Sequence, residues 1–179
     1  MEPAKEGDEV GTDTIDRIRR AVTLDASLYQ EADQDEGLMG EAILVAALSG
    51  ALSGLLAWVL SDSGFFTFLS FAIGAVIGLL IAAGILLLVG KLFGGQAEYT
   101  GLLRSMGYAM APNAFSGIPF IGLLFSLWAF VCAVVAVRES HAVSTGAAVA
   151  IVLIPAAILF VIGILLAILV GIAVFSSFS

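Results

Sequence analysis

Polar and apolar positions divide the chain into two unequal parts. Up to Glu41 charged residues recur every few positions, whereas beyond it long uncharged runs are separated by short polar breaks. Ala42 to Leu60 carries no charge over about 19 residues, close to the ~20 that cross a hydrocarbon core as a helix. Ser61-Asp62-Ser63-Gly64 breaks the pattern, and Phe65 to Gly90 follows as an uncharged run of about 26 residues, long enough to cross with tilt. Lys91 to Gly101 is a polar connection containing Gly94-Gly95, Glu98 and Tyr99.

Arg104 and Arg138 then bracket about 33 uncharged residues, which as one helix would measure ~50 Å against a core of ~30 Å. A hairpin fits instead: 101–117 enters, Gly117-Ile118-Pro119 turns and 120–137 returns. Pro112 midway along the first leg predicts a kinked or half-length passage. Arg138 to Thr145 is polar, and 146–174 forms the last span, with a kink expected at Pro155. The pattern predicts an all-α polytopic membrane protein. Its membrane domain, 42–175, is a five-helix bundle with spans near 42–60, 65–90, 101–117, 120–137 and 146–174.

The segment before the first span reads differently. Residues 1–11 have nothing to bury and are expected to form a disordered acidic tail. Residues 12–41 form an amphipathic arm. Thr12 or Asp13 can cap a helix that places Ile15, Ile18 and Val22 on one face and pairs Asp13 with Arg17 and Asp16 with Arg20. A straight continuation would put Asp25 on the apolar face, so a break at Thr23-Leu24 and a second short helix carrying Leu28 and Tyr29 are expected. Both are read as surface helices, with a loop at 32–37 leading to the membrane.

Composition agrees with this reading: 60% of residues are hydrophobic and only 12% charged, far from a water-soluble domain. The net charge of −8 is concentrated in the arm, since only Asp62, Glu98 and Glu139 are acidic beyond Glu41. An acidic arm argues against nucleic acid and against docking on anionic lipid. The single cysteine, Cys132, excludes an intrachain disulfide, and Met1 to Glu6 lacks the pattern of a cleaved signal. Lys5, Arg17, Arg19 and Arg20 fall before the first span, Lys91 and Arg104 flank the second connection, and Arg138 lies in the fourth. Five crossings with the N-terminus in the cytoplasm and the C-terminus outside therefore put every Lys and Arg on the cytoplasmic face of the cell membrane.

The spans lack the ionisable groups that ion-coupled transport uses, and no nucleophile–base pair or metal-ligand cluster stands at membrane depth. No enzymatic activity, cofactor or metal is expected. Small residues recur at four-residue spacing at Gly50 and Gly54, Gly74 and Gly78, and Gly163, Ala167 and Gly171. Such stripes let helices pack closely within one chain or between copies, so homo-oligomerisation is an alternative to internal packing.

One local signal is more specific. Gly107-Tyr108-Ala109-Met110-Ala111-Pro112, with Leu102-Leu103-Arg104-Ser105-Met106 before it, is followed by Arg138-Glu139-Ser140-His141-Ala142-Val143-Ser144-Thr145-Gly146. Together with Val22-Thr23-Leu24-Asp25 and Tyr29, these segments resemble the YIP-domain family over roughly residues 14 to 174. That family is named for eukaryotic membrane proteins that interact with Ypt/Rab GTPases. The resemblance implies that Gly107, Tyr108 and Pro112 open the third membrane helix and that the loop through His141 and Ser144 precedes the last. The short arm departs from the eukaryotic pattern and resembles prokaryotic members, which puts GTPase contact in doubt.

The resemblance implies a non-enzymatic adaptor or organiser of membranes. Its partners are expected to be the lipid bilayer and an unidentified membrane or cytoplasmic protein, met at Arg138, Glu139, His141 and Ser144 beside the arm. The alternative is a permease or channel-like protein for a neutral or small solute, working through the broken leg at Pro112 and Asn113.

Overall fold

A computed structural model describes residues 6–61 and 64–177, and all regular elements among them are helical. The arm consists of α1 (Glu6–Val22) and α2 (Ala26–Gln34). A single 3-10 turn, Glu36–Leu38, leads into α3 (Met39–Ser61), followed by α4 (Phe65–Leu92), α5 (Tyr99–Ala109), α6 (Gly122–His141) and α7 (Thr145–Ser177). Helix α1 starts earlier than the expected boundary at residue 11.

The break between α1 and α2 has a local cause. Leu24 adopts a left-handed conformation (φ 62°), and the Asp25 carboxylate caps α2 by accepting the Ser27 N–H at 2.9 Å.

Among the described residues four helices are long and apolar enough to cross a membrane: the one ending at Ser61, then α4, α6 and α7. The segment expected as a fifth span, 101–117, is built otherwise. Helix α5 stops after 11 residues, about 16 Å, and the chain continues as a 3-10 turn over Ala111–Phe115. Pro112 lies at the start of that turn, where its missing N–H breaks no helical hydrogen bond.

Even so, the broken leg carries the chain along the bundle. A Cβ on Gly107 would come within 2.6 Å of the Ala42 carbonyl oxygen, and one on Gly117 would overlap the Ser53 carbonyl oxygen outright. The chain thus passes along the bundle in five legs, of which the third is short and interrupted.

Every residue of α5 from Gly101 to Ala109 is buried, because α1, α2, α3, α4 and α6 all pack against it. Protein therefore covers the polar side chains of α5, whereas the turn after it is only partly covered, with Asn113 half-buried and Phe115 exposed. Helices α3 and α4 form the closest pair in the bundle. Gly50 and Gly54 permit it, since a Cβ at either would meet the backbone or side chains of Phe68, Phe71 and Ala75 within 3 Å.

Helix α7 is different again: from Ala156 to Ile172 every residue is exposed. Gly163, Ala167 and Gly171 lie on this uncovered stretch, and no atom comes within 4 Å of a Cβ built on either glycine. Gly74 and Gly78 likewise face open space.

The arm is not a surface appendage. Ala21, Leu28, Tyr29 and Ala32 are fully buried against the bundle. Complete burial of a large side chain is worth about 1.5–3 kcal/mol, so Leu28 and Tyr29 alone contribute several kcal/mol to docking the arm.

Candidate functional site

The site is the polar seam where the arm enters the bundle. Two arginines on α1 organise its outer part. Arg17 donates to Glu31 at 3.3 Å and to Glu41 at 2.9 Å, and Arg20 donates to Glu31 at 2.8 Å and to Asp25 at 3.1 Å. Glu31 therefore receives both guanidinium groups. These pairs replace the expected i,i+4 pairs with Asp13 and Asp16, because a second helix brings better-placed carboxylates to the same face. Burial alone would raise the Glu31 pKa, but the hydrogen bonds from Arg20 and Arg17 overcome this and hold it below the ordinary value. The Ser27 hydroxyl and then Arg20 lower the Asp25 pKa.

Deeper in, the seam is made of backbone carbonyls met by side-chain donors. Arg104 on α5 is 4% exposed, and its Nε donates to the Ala32 carbonyl at 2.6 Å while a terminal nitrogen donates to that of Asp33. The Ser105 hydroxyl donates to the Tyr29 carbonyl at 3.0 Å and accepts from Ser140 of α6 at 3.1 Å. The two Arg104 contacts satisfy carbonyls of the last turn of α2, which a helix C-terminus leaves free.

On the other side of the arm, Trp128 Nε1 donates to the Val22 carbonyl at 2.9 Å and the Tyr29 hydroxyl to that of Ala21 at 2.9 Å. Burial drives the Tyr29 pKa far up, so the hydroxyl keeps its proton and remains a donor.

Several buried polar atoms lack partners among the described residues, and those of Asp33 and His141 mark close helix contacts. Asp33 Oδ1 sits directly over Gly101, in the space a Cβ there would occupy, and desolvation raises the Asp33 pKa. The His141 imidazole is fully buried with neither nitrogen hydrogen-bonded. It fills the space that Cβ atoms would take at Gly90 and Gly95, and so locks α6 to the end of α4.

The residues singled out from the sequence separate into inner and outer sets. Tyr108 is fully buried, Pro112 is buried, and Gly107 lies on α3. Arg138 pairs with Glu139 at 2.5 Å, and Glu139 accepts from Gln30 of α2 at 2.6 Å. Ser144 is exposed, and its hydroxyl accepts the Ala147 N–H at 3.3 Å, near the start of α7. The expected docking loop therefore does not present four side chains together: His141 points inward and only Ser144 is fully open.

Sequence alone does not single out Arg104, Ser105 and Ser140 as seam residues; their signal is their position as polar residues inside or beside apolar legs. Among the described residues no three of His, Cys, Asp and Glu gather as metal ligands do.

Around the seam, exposed Gln30, Gln34, Asp35, Glu36, Lys91, Gln96 and Glu98 make a polar surface on which carboxylates outnumber the one lysine.

These features define a polytopic all-α membrane protein whose N-terminal arm is built into its helical bundle. A family model described as the Yip1 domain matches residues 26–168, and the chain belongs to that family. No curated protein and no solved structure matched the chain.

Proposed function

We propose that the protein is a non-enzymatic membrane adaptor or organiser. It holds the acidic surface around the arm in a fixed geometry for a protein partner with a basic contact face. The observation that carries this reading is the locked arm: buried Tyr29 and Leu28, the Arg104 contacts to Ala32 and Asp33, and the double pairing at Glu31 immobilise it against α5 and α6. A rigid polar surface loses little conformational entropy on binding, which favours recognition over catalysis.

The arm end is the cytoplasmic side in this reading. Arg17, Arg19, Arg20, Lys91, Arg104 and Arg138 all gather there, as basic residues do on the cytoplasmic face.

The test is site-specific photocrosslinking in native membranes from Gln34 and Ser144, with Phe120 at the opposite end as control. A discrete adduct at the arm end, absent at Phe120 and lost in Asp35→Lys/Glu36→Lys, supports the proposal. Crosslinking unchanged by the charge reversal, or adducts to lipid alone, overturns it.

A further inference from the structure

The broken third leg leaves a continuous trough along one edge. A cavity of about 340 Å³ lies between α3 and α4 and reaches Met110 and Asn113. A second, of about 210 Å³, shares Met110 and Asn113 and continues along α6. A third, of about 230 Å³, shares Met106, Phe130 and Ala133 with the second and extends to Pro155 and Leu159 of α7. Helices α4 and α6 barely touch, so nothing closes the trough between them.

The two ends differ in chemistry. The first end is lined by Ser53, Ser70, Asn113 and Ser116, and the far end by hydrocarbon alone. Ser53 and Ser116 satisfy each other at 2.7 Å, and Ser116 also donates to the Asn113 carbonyl at 2.7 Å. Ser126, where the second cavity begins, donates to Gly122. The Asn113 carboxamide makes no hydrogen bond among the described residues and is half-buried at the edge of the trough, where surrounding hydrocarbon would leave the amide unpaired. It offers both a donor and an acceptor.

We propose that this trough binds a neutral lipid with a free hydroxyl, of the diacylglycerol class. The hydroxyl pairs with the Asn113 carboxamide and one hydrocarbon chain runs past Met106 and Phe130 toward Pro155. No charged side chain lines any of the three cavities, so a phosphate headgroup would find no neutralising partner there. The fit of a slender chain with one neutral polar group is what remains. This site is independent of the acidic arm surface and stands or falls separately.

The test uses the full chain in phosphatidylcholine vesicles with a trace of photoactivatable diacylglycerol, compared with photoactivatable phosphatidylglycerol. The expected result is saturable diacylglycerol labelling of Met106, Met110 and Phe130 peptides, competed by unlabelled diacylglycerol. In Asn113→Leu it falls by about tenfold, the loss of one neutral hydrogen bond. Competition on the unaltered chain separates specific binding from its absence even if the variant folds poorly. Equal labelling by both lipids, labelling that does not saturate, or an adduct only to a second copy of the chain overturns the proposal. So does modification of Asn113→Cys by a membrane-impermeant maleimide, which would reveal an aqueous solute route instead.

Discussion

The guanidinium of Arg104, near the start of the membrane bundle's third leg, donates to the backbone carbonyl of Ala32 at 2.6 Å. One side chain thereby joins the leg that hydropathy marks as a membrane passage to the arm that hydropathy marks as soluble. Arg104→Met would leave the Ala32 and Asp33 carbonyls buried without a donor. The expected cost to arm docking is about 1–3 kcal/mol. Tryptic cleavage after Arg19 and Arg20 should accelerate in this variant while α6 and α7 stay intact.

The paired arginines make docking sensitive to acid. Glu31 has a folded-state pKa below its ordinary value, so its contribution is complete above the unfolded value. That contribution is lost as pH falls through the folded value. Each partly exposed pair contributes roughly 0–1 kcal/mol, so the loss is expected as gradual loosening rather than unfolding. Trp128 fluorescence, which reports on the Val22 contact, should shift reversibly below about pH 4.5 in the native chain. In Glu31→Gln the shift should be present already at neutral pH and largely insensitive to acid.

His141 and Gly90 test whether the imidazole acts as a packing block. Gly90→Ala places a methyl group against the ring, and overpacking of this kind costs about 1–3 kcal/mol. His141→Ala in the same chain should recover most of that loss. Thermal melts of the single and double variants in mild detergent measure the coupling; additive effects would show that ring and glycine do not interact.

The glycine stripes fall into two kinds. Gly50→Leu and Gly54→Leu should abolish folding, since α4 backbone occupies the space a side chain would need. Gly163→Leu and Gly171→Leu should fold normally. If copies of the chain associate through α7, these two variants alone should shift the oligomer toward monomer in native mass spectrometry.

Much of this architecture is legible in the sequence, but what is hidden has a common cause. The uncharged runs mark the long helices because transfer to hydrocarbon depends on composition. The Asp25 cap is visible because a carboxylate on an apolar face has to be turned out. Hydropathy does not distinguish a helix covered by lipid from one covered by protein, so α5 reads as a span despite Arg104 and Ser105. In the same way α1 and α2 read as surface helices, because Ala21, Ala32 and Tyr29 carry no strong signal of burial. Arg17 and Arg20 have plausible partners within their own helix, and only the fold of α2 back onto α1 brings Glu31 to both. The inward turn of His141 depends on Gly90 and Gly95, far away in sequence.

Above all, the arm is part of the membrane domain rather than a tail attached to it. Hydrogen–deuterium exchange in lipid nanodiscs tests this most directly at the amides of Leu28 to Ala32. These amides should be protected to a degree comparable to those of α5, and the protection should be lost together with arm docking in Arg104→Met. Exchange of the α2 amides at the rate of an open helix, with α5 still protected, would contradict it.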